Sequence, residues 1–178
     1  MPYTFGSKDE SIFMERIFTT STTWTPPFNC RAYVTVIGPG GAGGNARSTT
    51  DHLAYCASGG GAGGCAKSLL TLSSSVTYTI NIGAGAPTVT NAADGGNGGA
   101  NSEFQGSDID NMAGNFGYGG EHDFSGGSAV PNQAGGAGGT ATGGNIWNVT
   151  GGAGGSAECS TYTSGGTHLA AGGGGAAG

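Results

Sequence analysis

A chain of 178 residues with 41 glycines, 6 prolines and 35% hydrophobic residues has the size of one domain and room for only a modest apolar core. Its formal net charge is −6, and all five basic residues (Lys8, Arg16, Arg31, Arg47 and Lys67) lie in the first 67 positions, leaving the other 111 with seven acids and no cation. A surface without a cation cannot neutralise phosphates, which argues against nucleic acid and anionic membranes as partners of the glycine-rich part.

No apolar run reaches the length of a membrane span, so membrane insertion is not expected, and the opening MPYTFGSKDESIF lacks the layout of a signal peptide. Residues 1–16 read as an N-terminal attachment segment, in which Ser7 and Glu10 could cap one short helical turn. Phe13 to Thr20 and the Trp24-Thr25-Pro26-Pro27 stretch suggest a strand that ends in a proline turn. In Ala32 to Ile37, Ala32, Val34 and Val36 point one way and Tyr33, Thr35 and Ile37 the other, the period of a strand. A long excursion, 38–65, follows. Ala66 to Leu72 and Val76 to Ile82 are two further strands, the second burying Val76, Tyr78, Ile80 and Ile82, and Ser73-Ser74-Ser75 between them predicts a hairpin.

After Ile82 regular alternation stops. Residues 17–82 therefore form a β-rich part with the glycine-rich insertion 38–65, and 83–178 form a glycine-rich lobe that is either separate from it or continuous with it. Gly-Gly-x-Gly-Gly occurs at Gly40 to Gly44, Gly60 to Gly64, Gly95 to Gly99, Gly135 to Gly139 and Gly151 to Gly155. That pattern suits polyproline II, a helix with three residues per turn and no internal hydrogen bonds. Two of its three faces then carry no Cβ, so neighbouring segments can approach until backbone groups pair between them. The predicted fold is mainly β, with a small β-sandwich-like N-terminal part, laterally packed polyglycine II segments, long loops and little or no α-helix. The uneven starts of the tracts exclude a uniform solenoid.

The segment TWTPPFNCRAYVTVIGPGGAGG, followed by GGGAGGCAKSLLTLSSSVTYTINIGAGA, GGNGGANSEFQG and GGTATGGNIWNVTGGAGGSA, resembles in order the glycine-rich domain of bacteriophage tail-fibre and receptor-binding (adhesin) proteins. Pro27-Phe28-Asn29-Cys30 departs from that family's Pro-x-Gly-Val turn, and residues 107–125 are less glycine-dominated than the pattern. The resemblance implies a virion structural protein on the exposed particle surface, tail or fibre, that is not an enzyme. It implies other virion proteins as partners, a homo-oligomer with a trimer favoured, and a host surface glycan or outer-membrane protein as receptor. Two alternatives stand beside it: a self-associating capsid decoration, cap or cement protein, and an ice-binding polyglycine protein.

The residues offer one concentrated candidate site. Asn111 to Ser125 brings together Phe116, Tyr118, Glu121, His122, Asp123 and Phe124. Aromatic faces stack on sugar rings and carboxylates accept hydroxyl protons, which suits a receptor-binding tip. The plainer alternative is that these aromatics plug a small core. Weaker loops of the same kind run over 45–58 and 159–168. No catalytic motif is present, and no cofactor or metal site is expected: Asp108-Ile109-Asp110-Asn111 invites a calcium reading and Gly95-Gly96-Asn97-Gly98 begins like a calcium-binding nonapeptide, but Ala100 stands where that repeat needs an aspartate and no second copy occurs. Cys30, Cys56, Cys65 and Cys159 have no metal or redox spacing and read as small buried thiols, with a Cys56–Cys65 bridge as the alternative.

Overall fold

The structure, a computed structural model, describes residues 14–45, 54–89, 94–125, 130–159 and 169–171. The described chain is all β and contains no helix. In chain order its strands are β1 (Thr22–Trp24), β2 (Cys30–Ile37), β3 (Ala54–Ala57), β4 (Cys65–Leu72), β5 (Tyr78–Asn81), β6 (Ser102–Gln105) and β7 (Met112–Gly114). There follow β8 (His122–Ser125), β9 (Val130–Gln133), β10 (Ala141–Thr142), β11 (Trp147–Val149), β12 (Ala157–Cys159) and β13 (Leu169–Ala171).

Two antiparallel sheets face each other as a sandwich. One has the order β1-β5-β6-β7-β10 and the other β11-β4-β2. Alternation decides the inner faces: Val36, Ala66 and Leu72 from the three-stranded sheet meet Tyr78, Ile80, Phe104 and Met112 from the five-stranded one. Phe104 is opposite Ile80 on one side and Met112 on the other, and its ring stacks on Tyr78 at 5.2 Å. The Tyr78 hydroxyl donates to Asp108 Oδ2 and accepts from the Ser73 N–H, both at 2.9 Å, so this buried phenol is satisfied.

Two expectations from the sequence change here. β4 and β5 do not form a hairpin: β4 pairs with β2 and β11, whereas β5 pairs with β1 and β6. The residues between them, 73–77, cross from one sheet to the other, because Leu72 and Tyr78 both point into the shared core and paired strands of one hairpin could not face each other across it. Alternation also does not stop at Ile82. Ser102 and Phe104 face inward while Glu103 and Gln105 face outward, and the sandwich recruits β6, β7, β10 and β11 from beyond that point. The capping residues Ser7 and Glu10 and most of the attachment segment lie outside the described residues.

Beyond the sandwich the chain continues as six laterally bonded passes, 38–44, 58–64, 94–99, 115–121, 135–140 and 151–155. Bonds between passes recur every third residue, the period of polyglycine II: Gly38 to Gly64, Gly41 to Gly61, Gly44 to Ser58. These pairs extend the β2–β4 register, whose last pair is Ile37 with Cys65, without a slip. The same continuity runs from the β4–β11 pair Cys65 with Val149 into the bonds Ala62 to Gly152 and Gly59 to Gly155. It recurs from β7–β10 into the bonds Asn115 to Thr140 and Tyr118 to Ala137.

At the far end of the bundle the passes become strands again, in the pairs β3–β8 and β9–β12 and in the parallel pair β3–β13. Ser58 bonds to Glu121 just before Ala57 pairs with His122. The bundle is thus held between two sets of strands that share its registers.

Pass 58–64 is buried along its whole length. It bonds to passes 38–44, 115–121 and 151–155, which run antiparallel to it, and to 135–140, which runs parallel. Glycine is required there by proximity: a Cβ on Gly61 would strike the Ala137 carbonyl, and one on Gly64 the Thr140 carbonyl. Among the described glycines only Gly143, with φ 77°, occupies the left-handed region. Cys56 is in a disulfide whereas Cys30 and Cys65 are free thiols, so a Cys56–Cys65 bridge is not formed.

Candidate functional site

Residues 115–121, Asn-Phe-Gly-Tyr-Gly-Gly-Glu, form a pass of the bundle rather than a loop between passes. Gly114, Gly117 and Gly120 are buried at three-residue intervals. A Cβ on Gly117 would meet the Gly61 carbonyl, and one on Gly120 the Ser58 carbonyl. Turned to the other faces, Phe116 is half-buried and Tyr118 is 48% exposed. Their rings touch with centroids 5.3 Å apart and planes inclined by 59°. Backbone bonds from Gly117 N to the Pro39 carbonyl and from Tyr118 N to the Ala137 carbonyl fix the segment that carries them.

The two rings line a cleft of about 210 Å³ together with Asn101, Asn115, Gly138 and Thr140. Asn115 Nδ2 donates to Thr140 Oγ1 at 2.7 Å, and Asn101 Oδ1 accepts from the Phe116 N–H at 3.2 Å. No charged side chain lines it. The cleft lies near the junction with the sandwich, since Gly114 belongs to β7 and Ala141 begins β10.

The remaining predicted residues are elsewhere. At about 3.1 Å per residue, Glu121 lies roughly 15 Å along the pass from Phe116. Its backbone carbonyl accepts from Ser58 N, its N–H donates to Ser58 Oγ at 2.7 Å, and its carboxylate accepts from Ala134 N at 3.2 Å. Ser58 Oγ also donates to the Ala134 carbonyl at 2.5 Å, so Glu121 and Ser58 together tie three passes at the far end. His122 donates its N–H to Asp94 Oδ1 at 2.7 Å, and its ring Nδ1 lies 2.9 Å from the same oxygen. Hydrogen bonds from His122 hold the Asp94 carboxyl below its ordinary value of 3.8. Asp123 and Phe124 are in β8, opposite Cys56 and Tyr55, and their side chains lie outside the described residues. So do 46–53 and 160–168, most of the two weaker loops.

Four of the six residues therefore divide into an aromatic pair, Phe116 and Tyr118, on the flank of the bundle and a polar pair, Glu121 and His122, at its far end. Sequence reasoning missed Asn101 and Thr140 because they reach the cleft from other segments, and it passed over Asn115, the neighbour of Phe116, because nothing local marked its amide as facing the rings. The glycines at 114, 117 and 120 were the available sign that the aromatics sit on a packed pass. Asp108, part of the acidic run, is the acceptor for Tyr78.

A family model, the glycine-rich domain, matches residues 18–178. The chain belongs to that family. No curated protein and no solved structure matches this glycine-rich domain. The matched span takes in the sandwich and all six passes, so the sheets and the bundle are parts of the same family unit.

Proposed function

We propose that this glycine-rich domain is a virion structural protein of a bacteriophage, a tail fibre, tip or other fibre on the exposed particle surface, that recognises a host receptor and has no enzymatic role. Its partners are then other virion proteins and a host surface glycan or outer-membrane protein. The observation that supports this most is the aromatic pair Phe116 and Tyr118, held half-open to solvent on a pass whose backbone is fixed on several sides. A rigid scaffold that presents aromatic side chains loses little freedom on binding, which favours recognition. The ordered likeness of four segments to phage receptor-binding domains points the same way.

The test is attachment of labelled protein to a panel of bacterial cells. Tyr118→Ala should abolish attachment while shifting the melting temperature little, because the side chain is half exposed. An unchanged attachment level in a folded Tyr118→Ala variant would remove the role assigned to the cleft.

A self-associating cap or cement protein is the second reading. It is favoured by the outer face of the three-stranded sheet, where Tyr33, Ile37 and Trp147 are exposed. Lys67 Nζ lies 5.5 Å from the Tyr33 ring centre and 5.6 Å from that of Trp147, bridging the patch. Sedimentation that reports a homo-oligomer, trimeric on the expectation above, and a monomer after Tyr33→Ser with Trp147→Ser, would support it.

A further inference from the structure

We infer that the cleft beside Phe116 and Tyr118 is a subsite for one uncharged pyranose ring, an assignment that rests on the receptor-binding reading and narrows the receptor to a neutral saccharide. Two aromatic rings inclined to each other offer apolar faces for the C–H side of a sugar. Beside them, Asn101 uses its Oδ1 for the Phe116 N–H, which leaves its amide hydrogens to donate. Asn115 uses its Nδ2 for Thr140, which leaves its carbonyl oxygen to accept, and the Thr140 hydroxyl, already an acceptor, has its own proton to give. A donor, an acceptor and a hydroxyl beside an apolar wall match the edge and face of a pyranose.

No Asp, Glu, Lys, Arg or His lines the cleft, so nothing in it would repay the desolvation of a carboxylate, sulfate or phosphate. At about 210 Å³ it is smaller than the roughly 300–1,000 Å³ of sites that enclose drug-sized ligands, which suits a single ring better than a peptide. The cleft is also rigid. Gly138 lies in the wall of the cleft, with its own Cβ position blocked by the Gly151 carbonyl, so no side chain can grow there to close it. The surrounding groups are held by the bonds Asn115 to Thr140 and Tyr118 to Ala137.

The test is a titration of the full chain with methyl glycosides of glucose, galactose, mannose, N-acetylglucosamine and N-acetylgalactosamine, followed by chemical-shift mapping and saturation transfer from the aromatic protons. At least one should bind with a Kd on the order of 1 mM, shifting the signals of Asn101, Asn115 and Tyr118. Tyr118→Ala should weaken binding by about tenfold or more, Asn115→Ala by several-fold, and Phe28→Ala, at an exposed residue outside the cleft, not at all. No shifts at these residues with any neutral glycoside at about 10 mM would overturn the inference, as would binding only of sialic or uronic acids. The mapping on the unmodified chain decides the matter even if a variant fails to fold. Cell attachment that depends on Tyr118 without glycoside binding would point to a protein receptor, overturning this inference and sparing the receptor-binding reading. Glycoside binding without attachment to any cell would do the reverse.

Discussion

The sandwich and the polyglycine bundle are two cores built on opposite rules within one chain. The sandwich buries Leu72, Tyr78, Phe104 and Met112, and removal of apolar area from water drives it, at about 1.5–3 kcal/mol for a large aliphatic or aromatic side chain. At the centre of the bundle, the largest side chain between Gly59 and Gly64 is the methyl of Ala62. There the gain comes from backbone bonds, each contributing about 0.5–1.5 kcal/mol net, set against the unusually large entropy that glycine loses on ordering. A bundle of that kind gains little from side chains and cannot choose a register by itself. Its registers are continuous with those of β2–β4, β4–β11 and β7–β10. Side chains in the sheets set the alignment that the glycines then follow.

The sharpest way to break this contrast is to enlarge one core and shrink the other. Gly61→Val places a branched side chain against the Ala137 carbonyl on a buried pass and should cost on the order of 4 kcal/mol or more. Chemical denaturation of that variant should show loss of the bundle, and a parental midpoint would mean the passes are loosely held. Leu72→Ala, the shrinking change in the sandwich, should cost about 3 kcal/mol by the same measurement.

A smaller effect is expected where the two ends of the bundle can be compared by pH. Because the Asp94 carboxyl is held below its ordinary 3.8, its contribution is complete above that value and disappears as pH falls through the lower folded value. Asp94 is 67% exposed, so Asp94→Asn should lose only a few tenths of a kcal/mol at pH 7. The difference from the parent should shrink as pH falls below 3.8 and vanish once the folded carboxyl is protonated. The smallest effect belongs to Gly85, whose Cβ position has nothing within 4 Å. Gly85→Ala should be neutral or stabilising by about 0.5 kcal/mol, through the unfolded chain alone. A large loss there would show that glycine is needed for more than close approach.

Much of this architecture was legible in the residues. The alternation in Val76 to Ile82 gave the correct inward face, that in Ala32 to Ile37 separated the two faces of β2, and the doubled glycines gave the bundle. The apparent hairpin at Ser73 to Ser75 misled because local spacing cannot distinguish a turn within a sheet from a crossing between two. Residues 115–121 were hidden by their aromatics: Phe116 and Tyr118 drew attention to what a segment displays, whereas Gly114, Gly117 and Gly120 determine where it lies. The cleft was half legible, since its two rings and Asn115 are neighbours in sequence whereas Asn101 and Thr140 come from other segments.

Pass 58–64 accepts neighbours running in both directions, three antiparallel and one parallel, with the same three-residue spacing. Sheets distinguish these orientations by different bonding patterns, and hairpins constrain how the chain turns between them. Here a connection can return the chain from either end of the bundle without altering how the passes bond. Evolution can therefore lengthen, shorten or exchange the segments between passes almost freely, so that the outline of the molecule can diversify while its interior stays constant.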